Sequence, residues 1–151
     1  MEYDIILATQ SEIRRNLLKN TGIRFKAIKS DFDEAQLQDA LNGKICSLKD
    51  AQDLVMKLSF EKAKNISGRY SKDLIIGCDQ TLYFKKRILN KPVNYEESFE
   101  QLKGLSGENH KLITATTCVM ESKQIWSYIS VQDMQMRTLS DEYIKNYIKE
   151  I

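Results

Sequence analysis

Two strongly apolar segments place the tightest constraint on the fold. The segment DLIIGCDQTLYF (73–84) begins with a continuous apolar run, and YDIILA (3–8) has the same character. Continuous runs of this kind are typical of strands that are covered on both faces. Because buried strands need other elements packed against them, the sequence predicts a sheet flanked by helices.

The clearest helix is predicted from about residue 47 to residue 67. SLKD at its start has the form of a capping box, and apolar residues follow at helical spacing. Lys62 interrupts this stripe, because it lies seven residues after Val55 and so on nearly the same side of the helix. Its ammonium either reaches water at the rim or points into a cleft, and the helix alone leaves both open. The stripe consists of Ala51, Leu54, Val55, Leu58 and Ile66.

The other segments mix strands and helices without a strict βαβ rhythm. Ser11, Asn94 and Ser140 are plausible N-caps of three further helices. The segment 25–34 is strand-like at its start and then acidic. Strands are predicted at 111–120 and 125–136, a short helix or loop at 35–44, and turns at 85–87 and 121–124. The pattern predicts an α/β protein, α+β-like in its arrangement, with a mixed sheet.

The composition is that of one soluble globular domain. The 151 residues are 42% hydrophobic and 29% charged, and the net charge of +2 provides no overall attraction to nucleic acid or to membranes. No run approaches the ~20 apolar residues of a membrane span, and the N-terminus lacks the basic region of a secretory signal. Cys46, Cys78 and Cys118 form no CxxC pair, so we expect reduced thiols and a cytoplasmic location.

Missing motifs narrow the chemistry. The one histidine, His110, excludes a multi-histidine metal site, and the sequence contains no GxSxG, GxGxxG or GxxxxGK[ST] motif. An enzyme built from this chain would rely on carboxylates, lysines and arginines, which handle a polyphosphate through a hard cation such as Mg²⁺. We expect His110 to form a structural hydrogen bond, and Trp126 to pack in the core.

The segment LATQSEIRRNLL (7–18) places Arg14 and Arg15 in the first turn of a helix. The helix dipole disfavours cations at that end, by a few tenths of a kcal/mol to ~1 kcal/mol. The same end suits an anion, because its first backbone N–H groups have no partner inside the helix. Two guanidinium groups beside those donors would suit a phosphate, although arginine pairs also occur on solvated helix faces.

Several segments together resemble the Maf family of nucleoside triphosphate pyrophosphatases. They are LATQSEIRRNLL, DFDE, KLSFEKA, IIGCDQTLYFKKRILNKP and LKGLSGENHKLITA, in this order along the chain. The chain lacks the proline of the family's S-P-x-R-R motif, and Ile13 stands where the dTTP- and UTP-cleaving branch carries an arginine. With the dipeptide Asp79-Gln80 and the segment MQMRTLSDEYIKNY, it is more similar to the 7-methyl-GTP branch.

The resemblance implies roles for individual residues. Asp79 takes the position of the proton acceptor, unless it merely caps the end of its strand, and Glu34 joins it as a ligand of Mg²⁺ or Mn²⁺. Ile13 and Gln80 are implied in base specificity. Residues implied in binding the substrate are Ser11, Arg14, Arg15, Lys62 and Lys91.

The resemblance also implies a fold and a reaction. Family members have a mixed, elongated sheet with flanking helices and a central nucleotide-binding cleft, similar to the inosine triphosphatases. We expect residues 1–151 to form a single such domain that lacks the family's C-terminal segment, and to hydrolyse 7-methyl-GTP to the monophosphate and pyrophosphate. Three alternatives stay open: a dTTP/UTP pyrophosphatase, an enzyme of the inosine-triphosphate type, or a non-catalytic regulator of septum formation.

Association is expected from the end of the chain. The final helix carries Ile144, Tyr147, Ile148 and Ile151 at helical spacing. An unpaired sheet edge and an exposed apolar face of this kind favour self-association. The sequence therefore predicts a homodimer.

Overall fold

A computed structural model describes residues 3–41 and 44–150 of the chain. The helices are α1 (Glu12–Lys19), α2 (Glu34–Leu41), α3 (Leu48–Ser67), α4 (Tyr95–Leu105) and α5 (Asp141–Glu150). The strands are β1 (Ile5–Ala8), β2 (Lys26–Ile28), β3 (Leu74–Phe84), β4 (Arg87–Leu89), β5 (Asn109–Met120) and β6 (Lys123–Gln135). In these ranges no helix is both long and apolar enough to cross a membrane.

The strands form one six-stranded mixed sheet in the order β2-β1-β3-β5-β6, with β4 also paired to β3. β1 runs parallel to both β2 and β3, whereas β4 and β5 run antiparallel to β3 and β6 runs antiparallel to β5. The predicted mixed α/β architecture is confirmed. Both hairpins turn through two consecutive residues with positive φ, Lys85–Lys86 and Glu121–Ser122, which is the geometry that tight hairpin turns require.

Helix α3 covers one face of the sheet and supplies most of the core. Its start is the predicted capping box, in which Ser47 and Asp50 each accept a backbone hydrogen bond from the other residue. All five residues of the predicted apolar stripe are buried. Ile66 packs in a cluster with β1 and the start of β3, whereas Ala51 and Val55 pack around Ile113 and Ala115 of β5.

Gly77 of β3 lets α3 approach the sheet closely. A Cβ atom at this position would overlap the carbonyl oxygen of Ser59 and lie 2.9 Å from the Cβ of Ala63. Beside this contact, the hydroxyl groups of Ser59 and Thr117 form a buried hydrogen bond of 2.6 Å. The absence of a side chain at Gly77 thus sets the distance between the sheet and the turn of α3 that contains Ser59 and Ala63.

The segment 25–34 starts as a strand, as predicted, but changes to a helix at its acidic end. Only Lys26–Ile28 form a strand, and Glu34 is already the first residue of α2. Asp33 explains the change, because its Oδ1 accepts a hydrogen bond from the backbone N–H of Gln36 and so opens a helix. Gly43, the predicted end of the following segment, lies outside the described residues.

Three predictions about side chains are wrong. Trp126 and Tyr128 lie on the edge strand β6 and are 51% and 60% exposed, because no element covers that part of the sheet in the described chain. Ile144 is fully buried, so the apolar face of α5 is not wholly exposed; Ile151 lies outside the described residues. His110 is buried, but its Nδ1 has no hydrogen-bond partner among the described residues.

Candidate active site

A gap in strand pairing along one edge of β3 creates a cleft. β5 pairs with one edge of β3 from Ile75 to Tyr83. On the other edge, β1 ends opposite Gly77 and β4 begins pairing only at Leu82. In the described part of the chain, residues 78–81 therefore have no strand partner on that edge. Every second residue of this stretch points its backbone N–H and C=O into the gap.

The gap opens into a cleft of about 920 Å³, within the usual size range of small-molecule sites. Its walls come from the segment between β1 and the start of α1, the segment after β2, the start of α2, one side of α3, the strands β3 to β5 and the loop after β4. Four cationic residues and two carboxylates line it, so cations are in excess. They are Arg14, Lys29, Lys62, Lys91, Glu34 and Asp79.

The centre of the cleft is an ammonium between two carboxylates. Nζ of Lys62 lies 2.6 Å from Oδ1 of Asp79 and 2.9 Å from Oε2 of Glu34. Lys62 and Asp79 are each only 7% exposed, whereas the side chain of Glu34 is 45% exposed. Of the two orientations that the sequence left open for Lys62, the structure shows the one that points into the cleft.

Asp79 lies in the middle of β3, opposite Ala115 of β5. Its side chain accepts a hydrogen bond from Lys62 and, among the residues that the structure describes, none from the backbone of a turn, so it does not cap the strand there. Burial raises the pKa of Asp79 above the ordinary carboxyl value, and the neighbouring charge of Glu34 raises it further; Lys62 and Arg14 act in the opposite direction. A buried carboxylate with a raised pKa in a cleft is typical of a residue that accepts protons during a reaction.

The start of α1 forms the wall of the cleft beside these carboxylates. Ser11 is the N-cap, as predicted, and its side chain accepts a hydrogen bond of 3.4 Å from the backbone N–H of Arg14. The hydroxyl of Thr9 accepts a hydrogen bond from the backbone N–H of Ser11, which holds the turn between β1 and the helix. This leaves the hydroxyl proton of Ser11 and the first N–H groups of α1 available to an anion.

The two arginines of the first turn are placed differently. Arg14 is half-buried and lines the cleft, whereas Arg15 is exposed and does not contribute to the cleft wall. Ile13 is 73% exposed and also lies outside the wall. The structure thus brings together Ser11, Arg14, Glu34, Lys62, Asp79, Gln80 and Lys91 from the predicted site.

Gln80 is held at the cleft by a neighbour on β5. Its Nε2 donates a 2.8 Å hydrogen bond to Oγ1 of Thr114, the residue opposite it in the strand register. With Nε2 engaged in this way, the amide oxygen is left to accept a hydrogen bond from another group.

The pair of carboxylates fits a hard divalent cation. Their oxygens lie close to one nitrogen and so converge on one point in the cleft. Within residues 3–41 and 44–150, no group of three or more His, Cys, Asp and Glu side chains forms a closed metal cage. Mg²⁺ does not need one, because it is usually held by one or two carboxylates together with water and substrate phosphates.

Sequence reasoning missed several residues of the wall. Lys29 follows β2 and adds a fourth cation. Its position was available from topology, since the carboxyl ends of parallel strands such as β1 and β2 meet at one edge of a sheet. The apolar part of the wall was also missed, because its members come from four elements, α3, β3, β4 and β5, that meet only in the folded protein. It comprises Leu54, Leu58, Leu82, Ile88, Leu89 and Leu112.

Comparison with known proteins decides the family. The family model of Maf-like proteins matches residues 4–151. The chain belongs to the Maf family. This membership agrees with the resemblance seen in the sequence, and it covers every element that forms the cleft.

Individual relatives are similar over nearly the whole chain. A protein of Ruegeria sp. (strain TM1040) named nucleoside triphosphate pyrophosphatase is 32% identical over 149 residues, which are 99% of this chain and 73% of the relative. A protein of Rhizobium meliloti (strain 1021) named 7-methyl-GTP pyrophosphatase is 34% identical, over 97% of this chain and 72% of the relative. Among solved structures, a HAM1 protein from Coxiella burnetii has a TM-score of 0.52 at 13% identity, covering 89% of this chain and 73% of the other. That likeness supports the fold.

Proposed function

We propose that this Maf-family protein is a nucleoside triphosphate pyrophosphatase, a hydrolase that cleaves between the α- and β-phosphates, and that its preferred substrate is 7-methyl-GTP. The observation that carries the proposal is the buried Asp79 at the unpaired stretch of β3, facing a cleft with an excess of cations. The names of the relatives support the reaction class.

The cleft residues have distinct tasks in this reaction. Asp79 accepts the proton of the attacking water, a role that its buried position and raised pKa support. Arg14, Lys91 and the N-terminus of α1 bind the phosphates, whose equatorial oxygens carry the negative charge of the transition state. Glu34 and Asp79 would hold Mg²⁺ or Mn²⁺, and the bound ion would supply neutralisation of phosphate charge and a lowered pKa of water.

The base lies against the part of the cleft beyond Asp79. The apolar wall suits an aromatic ring, and the amide oxygen of Gln80 is oriented by Thr114 to accept a hydrogen bond. Guanine has N–H donors on its Watson–Crick edge, and their pattern differs from the pattern of donors and acceptors on a pyrimidine. Position 13, where the dTTP- and UTP-cleaving branch carries an arginine, is the exposed Ile13 in this chain and adds no positive charge to the cleft. These features favour a guanine nucleotide over dTTP or UTP.

The proposal is tested by measuring product release from a panel of triphosphates. The purified protein is incubated with 7-methyl-GTP, GTP, ITP, dTTP and UTP, with Mg²⁺, with Mn²⁺ and with EDTA. We expect release of pyrophosphate and monophosphate, dependent on the metal and fastest with 7-methyl-GTP. Release of orthophosphate and diphosphate, or no release from any member of the panel, would contradict the reaction; a preference for dTTP, UTP or ITP would contradict the substrate.

We further propose that the protein acts in the cytoplasm as a homodimer. Its three cysteines are free thiols, which suits a reducing compartment. The edge strand β6 exposes Ile125, Trp126 and Tyr128, which would favour pairing with a second copy. A purely monomeric sedimentation profile at micromolar concentration would contradict the dimer.

A further inference from the structure

Lys62 occupies an unusual position for a lysine. It lies in the apolar stripe of α3 and is 7% exposed, yet it carries a charge that is costly to bury. The cost is offset by two carboxylates, Asp79 at 2.6 Å and Glu34 at 2.9 Å. The ammonium therefore neutralises a pair of carboxylates that would otherwise repel each other inside the cleft.

The same two carboxylates form the proposed metal site, and this creates a competition. An ammonium within hydrogen-bond distance of both oxygens occupies the space between them. A divalent cation held by these oxygens would lie next to that positive charge, which is unfavourable in a partly buried site. One of the two cations must therefore move.

We propose that Lys62 is a built-in counter-cation of the metal site: it bridges Glu34 and Asp79 in the nucleotide-free protein and gives up this position when the nucleotide enters with its divalent cation. The inference rests on the proposed function. The triphosphate supplies the new partner for the displaced ammonium, since phosphate oxygens accept hydrogen bonds from lysine. The free protein then binds divalent cations weakly, and the metal enters together with the substrate.

The geometry allows this exchange. Glu34 is 45% exposed in its side chain, so one end of the bridge is open to solvent. Lys62 has four rotatable bonds, and its Nζ lies on the cleft side of α3, where Arg14 and Lys91 also line the wall. A change of side-chain rotamers is sufficient, with no movement of the helix.

The test measures Mn²⁺ binding to the free protein, without nucleotide and without turnover. Aqueous Mn²⁺ gives a six-line EPR signal that is lost on binding, so the signal reports the dissociation constant. We expect weak binding to the wild-type protein and at least about tenfold tighter binding to Lys62→Gln, roughly 1.4 kcal/mol. The matched control is Lys91→Gln, which removes one positive charge from the same cleft wall. Adding Glu34→Gln to Lys62→Gln should abolish the gain.

Equally tightened Mn²⁺ binding in Lys62→Gln and Lys91→Gln would show a general charge effect and overturn the proposal. Unchanged or weaker Mn²⁺ binding in Lys62→Gln would also overturn it.

If Lys62→Gln does not fold, ¹⁵N NMR of the lysine ammonium groups in the wild-type protein provides the test. The Lys62 Nζ signal should shift on addition of Mg²⁺ with the α,β-methylene analogue of GTP, but not with Mg²⁺ alone; a shift with Mg²⁺ alone overturns the proposal. Neither measurement involves hydrolysis. Metal-dependent pyrophosphate release without these effects would leave the proposed function standing and only the counter-cation role refuted.

Discussion

The ammonium of Lys62 and the carboxylate of Asp79 lie 2.6 Å apart although they belong to a helix and to the strand beneath it. Their contact depends on how closely α3 approaches β3. That approach is set two residues before Asp79, where Gly77 leaves room for the carbonyl oxygen of Ser59. The geometry of the site therefore depends on Gly77, a residue that lies against Ser59 and Ala63 of α3.

Replacing Gly77 by alanine should damage both stability and the site. The new Cβ would overlap Ser59 and press on Ala63, so α3 must move away from the sheet. We expect a loss of about 1–3 kcal/mol in the free energy of unfolding, measured by urea denaturation, together with reduced turnover. Gly104→Ala is the control, since a Cβ there meets nothing within 4 Å and should stabilise α4 by up to ~1 kcal/mol. Equal effects of the two substitutions would contradict this account.

Arg14 and Arg15 should differ in their contribution to substrate binding. Arg14 lines the cleft, whereas Arg15 is exposed outside its wall. Loss of a charge-assisted hydrogen bond to phosphate costs about 1.5–3 kcal/mol, so Arg14→Ala should lower kcat/KM by roughly ten- to a hundredfold. Arg15→Ala should have a smaller effect, and the exposed Arg24→Ala none. Steady-state kinetics that show the larger loss for Arg15→Ala would contradict the placement of these residues.

Thr114 should influence base selectivity without touching the phosphates. Its hydroxyl fixes the amide of Gln80 through a 2.8 Å hydrogen bond. Thr114→Val removes this acceptor while keeping the shape, so the ratio of kcat/KM for 7-methyl-GTP to that for UTP should fall by about fivefold, the scale of one neutral hydrogen bond. Thr116→Val, two residues along the same face of β5, is the control. An unchanged ratio in Thr114→Val would show that Gln80 does not need this partner.

The raised pKa of Asp79 predicts how its contribution to stability depends on pH. The folded protein binds the Asp79 proton more tightly than the unfolded chain does, because burial disfavours the ionised form. Its contribution is therefore fully present below the ordinary aspartate pKa of about 3.9, and is lost as the pH rises through the raised pKa of the folded state. Compared with Asp79→Asn in metal-free buffer, the wild-type protein should lose stability over this window. If the stability of the wild type instead rose with pH relative to Asp79→Asn, the effect of Lys62 on the pKa of Asp79 would outweigh that of burial.

Local patterns in the sequence predict much of the fold. The caps at Ser11, Ser47 and Asn94 form as expected, because each is decided by a hydrogen bond between residues three positions apart. Tertiary context decides the cases where prediction fails. Trp126 alternates as a core residue would, but it lies on an edge strand whose face is uncovered in the described chain.

The site divides in the same way. Asp79 and Arg14 lie in recognisable motifs, so the sequence places them correctly at the cleft. The pairing of Lys62 with both carboxylates is not visible in the sequence, because it depends on the approach of α3 to β3 at Gly77. Thr114 could be identified only from the register between β3 and β5.

The substitution Asp79→Asn tests whether Asp79 takes part in the hydrolysis. The substitution keeps the shape of the side chain but removes the negative charge that accepts the proton. Pyrophosphate release from 7-methyl-GTP is measured with Mg²⁺, and binding of the α,β-methylene analogue of GTP is measured in parallel. The control is Asp133→Asn, which lies on β6 outside the cleft wall. We expect kcat to fall at least ~100-fold in Asp79→Asn while the analogue still binds, and Asp133→Asn to be unaffected. Near-normal pyrophosphate release from a correctly folded Asp79→Asn protein would show that Asp79 is not the proton acceptor.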